Sequence, residues 1–199
     1  MSKPKIGIII STTRESRFGH RPAEWILSLA NERGDADYEI VDLRDYPIPL
    51  FEAAMSPRWS PVTNDVAKRW SNKIAELDGY VFITAEYNHS ISAVLKNALD
   101  HLATEGQRKP AAFVGYGAVG GARAIEQLRL IAVEVSMVPT QSAVHINMEP
   151  FLGLLQQGKE FGDYDYLALG VTTMLNELTW YARTLKAGRD ADTREQIAA

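Results

Sequence analysis

Five short apolar runs, each but the last leading toward residues spaced for one face of a helix, constrain this chain more than any other feature. Lys5-Ile6-Gly7-Ile8-Ile9-Ile10, Gly79-Tyr80-Val81-Phe82-Ile83-Thr84 and Ala111-Ala112-Phe113-Val114 are apolar almost without a break. That pattern marks strands buried on both faces. Tyr38-Glu39-Ile40-Val41-Asp42-Leu43 alternates polar with apolar and suits a place nearer a sheet edge, and Val138 to Ile146 supplies a fifth strand. Between them, Ala23, Ile26, Leu27 and Ala30, then Val66, Trp70, Ile74 and Leu77, then Leu95, Ala98, Leu99 and Leu102, then Ile125, Leu128 and Ala132, recur at helical spacing. Strands alternating with helices, joined by crossovers long enough for parallel pairing, predict a doubly wound α/β layer structure. Strand order is not readable from this pattern.

The remaining segments fill in the plan. Pro22 suits the first position of the first helix and Gly34 its stop. Residues 44–61 hold Pro47, Pro49, Pro57 and Pro61 beside Phe51, Met55 and Trp59, which predicts one long functional loop. A helix is expected over 62–77, a loop from Glu149 to Gly162, a C-terminal helix at about 163–186 and a polar, frayed tail after Gly188. With 199 residues and no repeat or linker, the chain is expected to be a single domain.

Composition excludes several functions. A net charge of −4 gives no basic excess for nucleic acid. The absence of cysteine removes disulfides, thiolate nucleophiles and cysteine metal sites, and suits a reducing cytoplasm. No apolar stretch approaches the roughly 20 residues that cross a bilayer, and the first residues run into a strand without a signal-peptide core. His20, His89, His101 and His145 lack ligand spacing, H-E-x-x-H and G-x-S-x-G are absent, and no metal is expected.

Three loops are candidates for chemistry. Ser11, Thr12, Thr13 and Ser16 with Arg14, Arg17 and Arg21 precede a helix N-terminus, an anion site in outline and better suited to a monophosphate than to a Walker ligand. A solvated basic loop is the plainer alternative. Glu86-Tyr87-Asn88-His89-Ser90 follows the third strand, at the sheet edge where ligands bind. His89 is read either as a base or as a hydrogen-bonding residue. Gly115-Tyr116-Gly117-Ala118-Val119-Gly120 matches G-x-G-x-x-G, but it follows the fourth strand and the fifth holds no acid, so a dinucleotide site is disfavoured. Small residues that let backbone approach a flat ligand are the alternative.

Read together, these loops over residues 4–146 resemble the NAD(P)H-dependent FMN reductase family of flavodoxin-like proteins. Ser11-Thr12-Thr13-Arg14 with Arg17 and Gly19 is similar to its phosphate loop, and Thr84 to Ser90 with Leu95-Lys96-Asn97-Ala98-Leu99-Asp100 is the most specific match. Tyr116-Gly117 to Gly120-Gly121-Ala122-Arg123 resembles its third flavin-side loop. The chain departs from the family at Ala85, Ser92 and Ala93, where Pro, Pro and Gly are usual, a change expected to loosen the loop.

The resemblance implies a flavodoxin-like three-layer sandwich with a five-stranded parallel sheet in the order 2-1-3-4-5. It implies FMN as cofactor and NADPH or NADH as hydride donor, with a small acceptor such as free flavin or a quinone. Ser11, Thr13, Arg14 and Arg17 would bind phosphate, with Gly19 and His20 in the same cofactor-binding set. Ala85, Glu86, Tyr87, Asn88, His89 and Ser90 would cradle the ring, and Tyr116, Gly117 and Gly120 would line its other edge. No side chain is required as acid or base, because the flavin carries the chemistry. A homodimer or homotetramer without nucleic-acid or membrane partners is expected. The rival readings are an FMN electron carrier and a non-catalytic nucleotide-binding module.

Overall fold

The computed structural model describes residues 2–198, with side chains through Asp192. Strands β1 (Lys5–Ile10), β2 (Asp37–Asp42), β3 (Gly79–Ala85), β4 (Pro110–Tyr116) and β5 (Val138–Ile146) form one parallel sheet in the order β2-β1-β3-β4-β5. This is the order that the resemblance implied.

The two-residue period of a strand divides the core into two layers. Ile6, Ile8 and Ile10 of β1 and Val81, Ile83 and Ala85 of β3 pack with α1 (His20–Arg33) and α6 (Asp165–Ala198). Ile9, Tyr80 and Phe82 face the other way, toward α2 (Asp65–Glu76), α3 (Ala93–Asp100) and α4 (Ala122–Glu134). The continuous apolar runs are continuous because both faces are covered. Gly7 carries no side chain for a packing reason: a Cβ there would lie 2.5 Å from Leu77 Cδ1.

Local signals set most boundaries. Asn64 caps α2 by accepting from Val66 N and Ala67 N, so that helix starts three residues later than expected. Gly34 ends α1 in the left-handed conformation (φ 60°). Helix α1 itself starts at His20, which makes Pro22 its third residue instead of its first. Pro tolerates the whole first turn, where N–H groups have no helical partner.

Two expectations fail in the C-terminal part. The segment 149–162 is not a loop, since α5 (Met148–Gln156) and a 3-10 turn (Phe161–Asp163) fill it. Pro150 lies in the first turn of α5, and Gly153 admits the Tyr164 hydroxyl, which would lie 2.0 Å from a Cβ. The helix expected at 163–186 runs instead from Asp165 to Ala198, with no break at Gly188. Its polar continuation is tied down by charge: Lys186 and Arg189 both donate to Asp78, and Arg108 pairs with Asp192.

Candidate functional site

All loops at the carboxyl ends of the strands leave from one edge, and the backbone ladder carries one residue beyond three of the strands. Ser11 N donates to Ile83 O (3.1 Å), Glu86 N to Tyr116 O (3.2 Å) and Gly117 N to Ile146 O (3.3 Å). The chain leaves β1 for β2 on one side and reaches β3 on the other, so the crevice of this sheet opens beside β1.

The loop after β1 is held from outside by two arginines. Arg17 Nη1 donates to Thr12 O (3.0 Å) and its guanidinium forms a bidentate pair with Asp42. Arg44 Nε donates to Thr13 O (3.2 Å), and its Nη2 donates to Arg14 O and to Glu15 O (3.2 Å). Asp42 also accepts from Arg44 N at 2.9 Å. Burial alone would raise the Asp42 carboxyl, but these donors hold it below the usual carboxylate range. Four consecutive carbonyls, 12 to 15, are thus occupied. In a trans peptide N–H points opposite to C=O, so the N–H groups of Thr13, Arg14, Glu15 and Ser16 face away from these arginines. Among the described residues those four N–H groups make no hydrogen bond.

Within this loop the Ser11 hydroxyl is fully buried and has no hydrogen-bond partner. Leaving such a group unpaired costs roughly 1–3 kcal/mol. Thr12 Oγ1 lies 3.1 Å from the Tyr116 hydroxyl, and burial pushes that phenol up to about 12, so it stays protonated at neutral pH. Gly19 closes the loop against both: a Cβ there would be 3.1 Å from Thr12 Oγ1 and 3.2 Å from Tyr116 Oη. His20 opens α1 and is half-buried. Arg14 is exposed, forms no ion pair among the described residues, and lies over the Tyr87 ring at 5.5 Å.

After β3, Tyr87-Asn88-His89-Ser90 is a tight turn closed by Tyr87 N to Ser90 O (2.9 Å) and Ser90 N to Tyr87 O (3.0 Å). Asn88 (φ 49°) and His89 (φ 74°) both take the left-handed backbone, which for residues with a Cβ costs roughly 1–3 kcal/mol each and persists only where the surroundings enforce it. Just before the turn, Glu86 accepts from Arg123 Nε (2.5 Å) and Arg123 N (3.1 Å). Burial would raise this carboxyl, yet the bonds from Arg123 outweigh it and keep Glu86 ionised.

The glycines after β4 fold the third loop back on its own strand. A Cβ on Gly115 would lie 2.5 Å from Gly120 O, and one on Gly121 would lie 2.7 Å from Gly115 Cα. Gly117, Gly120 and Gly121 all have positive φ. The G-x-G-x-x-G spacing therefore serves a compact turn, consistent with disfavouring a dinucleotide site.

Ser11, Thr13, Arg14, Gly19, Ala85 to Ser90, Tyr116, Gly117 and Gly120 all come to this edge. Arg17 does too, but its charge is matched by Asp42. It holds the loop from outside through Thr12 O. Asn97, from the most specific motif, turns elsewhere: it accepts from Phe51 N (2.9 Å) and donates to Ile48 O (3.3 Å) and Pro49 O (2.9 Å), pinning the long proline-rich loop. Three residues escaped the sequence reading. Asp42 ends β2 and Arg44 lies in the 3-10 turn Leu43–Asp45 just after it, where nothing in the pattern marks them. Ser92 carried a readable signal, a serine three residues before Leu95: it caps α3 by accepting from Leu95 N (3.2 Å) and donates to Ser11 O (2.6 Å). With Ser in place of Pro at this position, the side chain also ties α3 to the first loop.

A sheet in the order 2-1-3-4-5 with donor-rich loops at its switch point defines a flavodoxin-like α/β protein. The family profile for NADPH-dependent FMN reductases matches residues 4–150, and the chain belongs to that family. It is 34% identical over 163 residues to an NAD(P)H-dependent FMN reductase of Schizosaccharomyces pombe, covering 79% of this chain and 82% of the relative. It is 32% identical over 141 residues to a 2-hydroxy-1,4-benzoquinone reductase of a Burkholderia species, covering 67% and 73%. Among solved structures, the flavoenzyme NAD(P)H:(acceptor) oxidoreductase of Paracoccus denitrificans has the same fold, with a TM-score of 0.69 at 20% identity over 89% of this chain and 98% of that one.

The residues present fit FMN. The buried Ser11 hydroxyl lacks a partner, the adjacent N–H groups face away from the arginines that hold their carbonyls, and Arg14 carries an unmatched charge. A phosphate monoester accepts from all three kinds of donor.

Proposed function

We infer that this protein is an FMN-dependent oxidoreductase that takes hydride from NADPH or NADH and reduces a small acceptor, such as free flavin or a quinone. The observation that carries this reading is the partnerless Ser11 hydroxyl in the first loop of a chain belonging to the FMN reductase family. Ser11, Thr13, Arg14 and the N–H groups of 13–16 would hold the phosphate, while Arg17 and Arg44 keep those peptides turned. The 86–90 turn and Tyr116, Gly117 and Gly120 would line the ring. Bound FMN supplies the centre that accepts and donates hydride, so no side chain need act as acid or base. What the chain contributes is position, a fixed charge at Arg14 and dry walls of Phe18, Tyr116 and Phe151, whose rings pack edge-on and stacked at 4.9–6.0 Å.

The reading treats the chain as one unit, because both apolar layers share the same five strands. Among the described residues no helix is long and apolar enough to cross a membrane. A cytoplasmic location suits a chain without cysteine, and cell fractionation would test it. Leu50, Met55, Trp59, Leu169 and Trp180 are exposed, and we read them as surface that two or four copies cover. Light scattering should therefore give a mass two or four times 22.1 kDa.

The deciding experiment is to incubate the protein with FMN, desalt it and add NADPH without oxygen. Retained yellow colour that bleaches with NADPH or NADH, and returns when a quinone is added, is expected. Colour that neither nucleotide bleaches would make the protein an electron carrier, and failure to retain or titrate FMN would remove the flavin reading.

A further inference from the structure

Helix α4 reaches over the 87–90 turn with two side chains one helical turn apart. Gln127 Nε2 donates to His89 O (2.9 Å), and Gln127 Oε1 accepts from Ser90 Oγ (2.5 Å). Arg123 Nη1 lies 2.6 Å from His89 Nε2 while its Nε bonds Glu86. A guanidinium only donates, so in this contact Nε2 of His89 is the acceptor. Every residue from Glu86 to Ser90 except Tyr87 and Asn88 is thus gripped by α4. Those two lie between the gripped positions, and Asn88 and His89 are the residues with left-handed backbone. The two cross-turn bonds favour a two-residue turn with both central residues left-handed, and the bonds from α4 on both flanks add to what holds residues with a Cβ there.

We infer that Gln127 and Arg123 are positioning residues: they hold the 87–90 turn in the shape that it presents to the flavin ring, and Gln127 does so without touching the phosphate side of the site. The ring part of this inference rests on the proposed flavin function. The turn part does not. Gln127 is exposed on α4, so its replacement leaves the apolar face of that helix intact.

The test has two readouts. In the protein without flavin, amide hydrogen exchange at Tyr87 and Ser90 should speed up at least tenfold in Gln127→Ala while β3 and β4 amides keep their protection. In titrations, Gln127→Ala should weaken FMN and riboflavin alike, by about tenfold, because both carry the ring. Ser90→Ala removes one of the same bonds from the turn side and should give part of both effects. Unchanged exchange at Tyr87 and Ser90 would overturn the inference. So would faster exchange with unchanged flavin affinity, or a loss confined to FMN. If the native protein binds no flavin, the proposed function falls, and the exchange data still decide whether α4 holds the turn.

Discussion

Arg14 and Arg17 show how one residue type takes two roles three positions apart. Arg17 meets a carboxylate, whereas Arg14 meets only the Tyr87 ring, which under the proposed function leaves its charge for the FMN phosphate. Arg14→Ala should therefore weaken FMN by about 10- to 100-fold, in line with roughly 1.5–3 kcal/mol for a charge-assisted bond. Riboflavin, which lacks the phosphate, should be weakened far less, and parallel titrations check this. An equal loss for both would remove Arg14 from that role. Lys109 makes a pH prediction away from the site. It is 7% exposed and donates to Ile74 O (3.1 Å) and Ala75 O (2.7 Å) at the end of α2, and burial pushes it down to about 8. The unfolded lysine titrates near 10.4, so between about pH 8 and 10.4 the unfolded chain binds more protons and stability rises with pH. The unfolding free energy from urea titrations should climb across that window relative to Lys109→Met, by on the order of 2 kcal/mol once partial solvation is allowed for.

At the scale of elements, Ser92 couples a helix start to the first loop. Ser92→Ala removes the α3 cap and the bond to Ser11 O together, and should cost about 1–2 kcal/mol in denaturant unfolding. It should also weaken FMN, since Ser11 loses the tether that fixes its backbone. A stability loss with unchanged FMN affinity would limit Ser92 to capping. The edge strand β5 is managed by side chains from both layers. Its bulge around Thr140-Gln141-Ser142 has carbonyls taken by Arg129 and N–H groups taken by Glu177 at 2.7 and 2.8 Å. An edge so occupied is a poor template for another strand. None of this is visible in hydrophobic spacing, because Arg129 and Glu177 lie on opposite layers and meet only across the strand. Helix α5 was missed for a related reason: Pro150 and Gly153 read as breakers, and their places in the first turn and against Tyr164 depend on the fold.

Across the whole molecule, Asp78 joins three distant parts of the chain at the edge opposite the site. It accepts from Lys5 N (3.0 Å), Lys186 Nζ (3.2 Å) and Arg189 Nη2 (2.6 Å), linking the start of β1, the turn into β3 and the far half of α6. Asp78→Asn should lower stability by about 1–3 kcal/mol and increase the helical signal lost on mild heating, which circular dichroism reads. The five strands, the helices other than α5, and the carboxyl edge where three loops meet were legible from periodicity and from Ser11-Thr12-Thr13-Arg14 and Glu86-Tyr87-Asn88-His89-Ser90, while the strand order came only with the family resemblance. Burial on both faces and local turn chemistry write themselves into neighbouring residues, so a linear reading recovers them. Only the tertiary structure decided that Arg17 serves Asp42, that Arg44 turns the loop's carbonyls outward, that Ser92 holds Ser11 and that α4 grips the 87–90 turn. Each of those is a hydrogen bond between residues far apart in the chain or on different elements. Its partner is chosen by geometry that exists only once the sheet has brought the strand ends together.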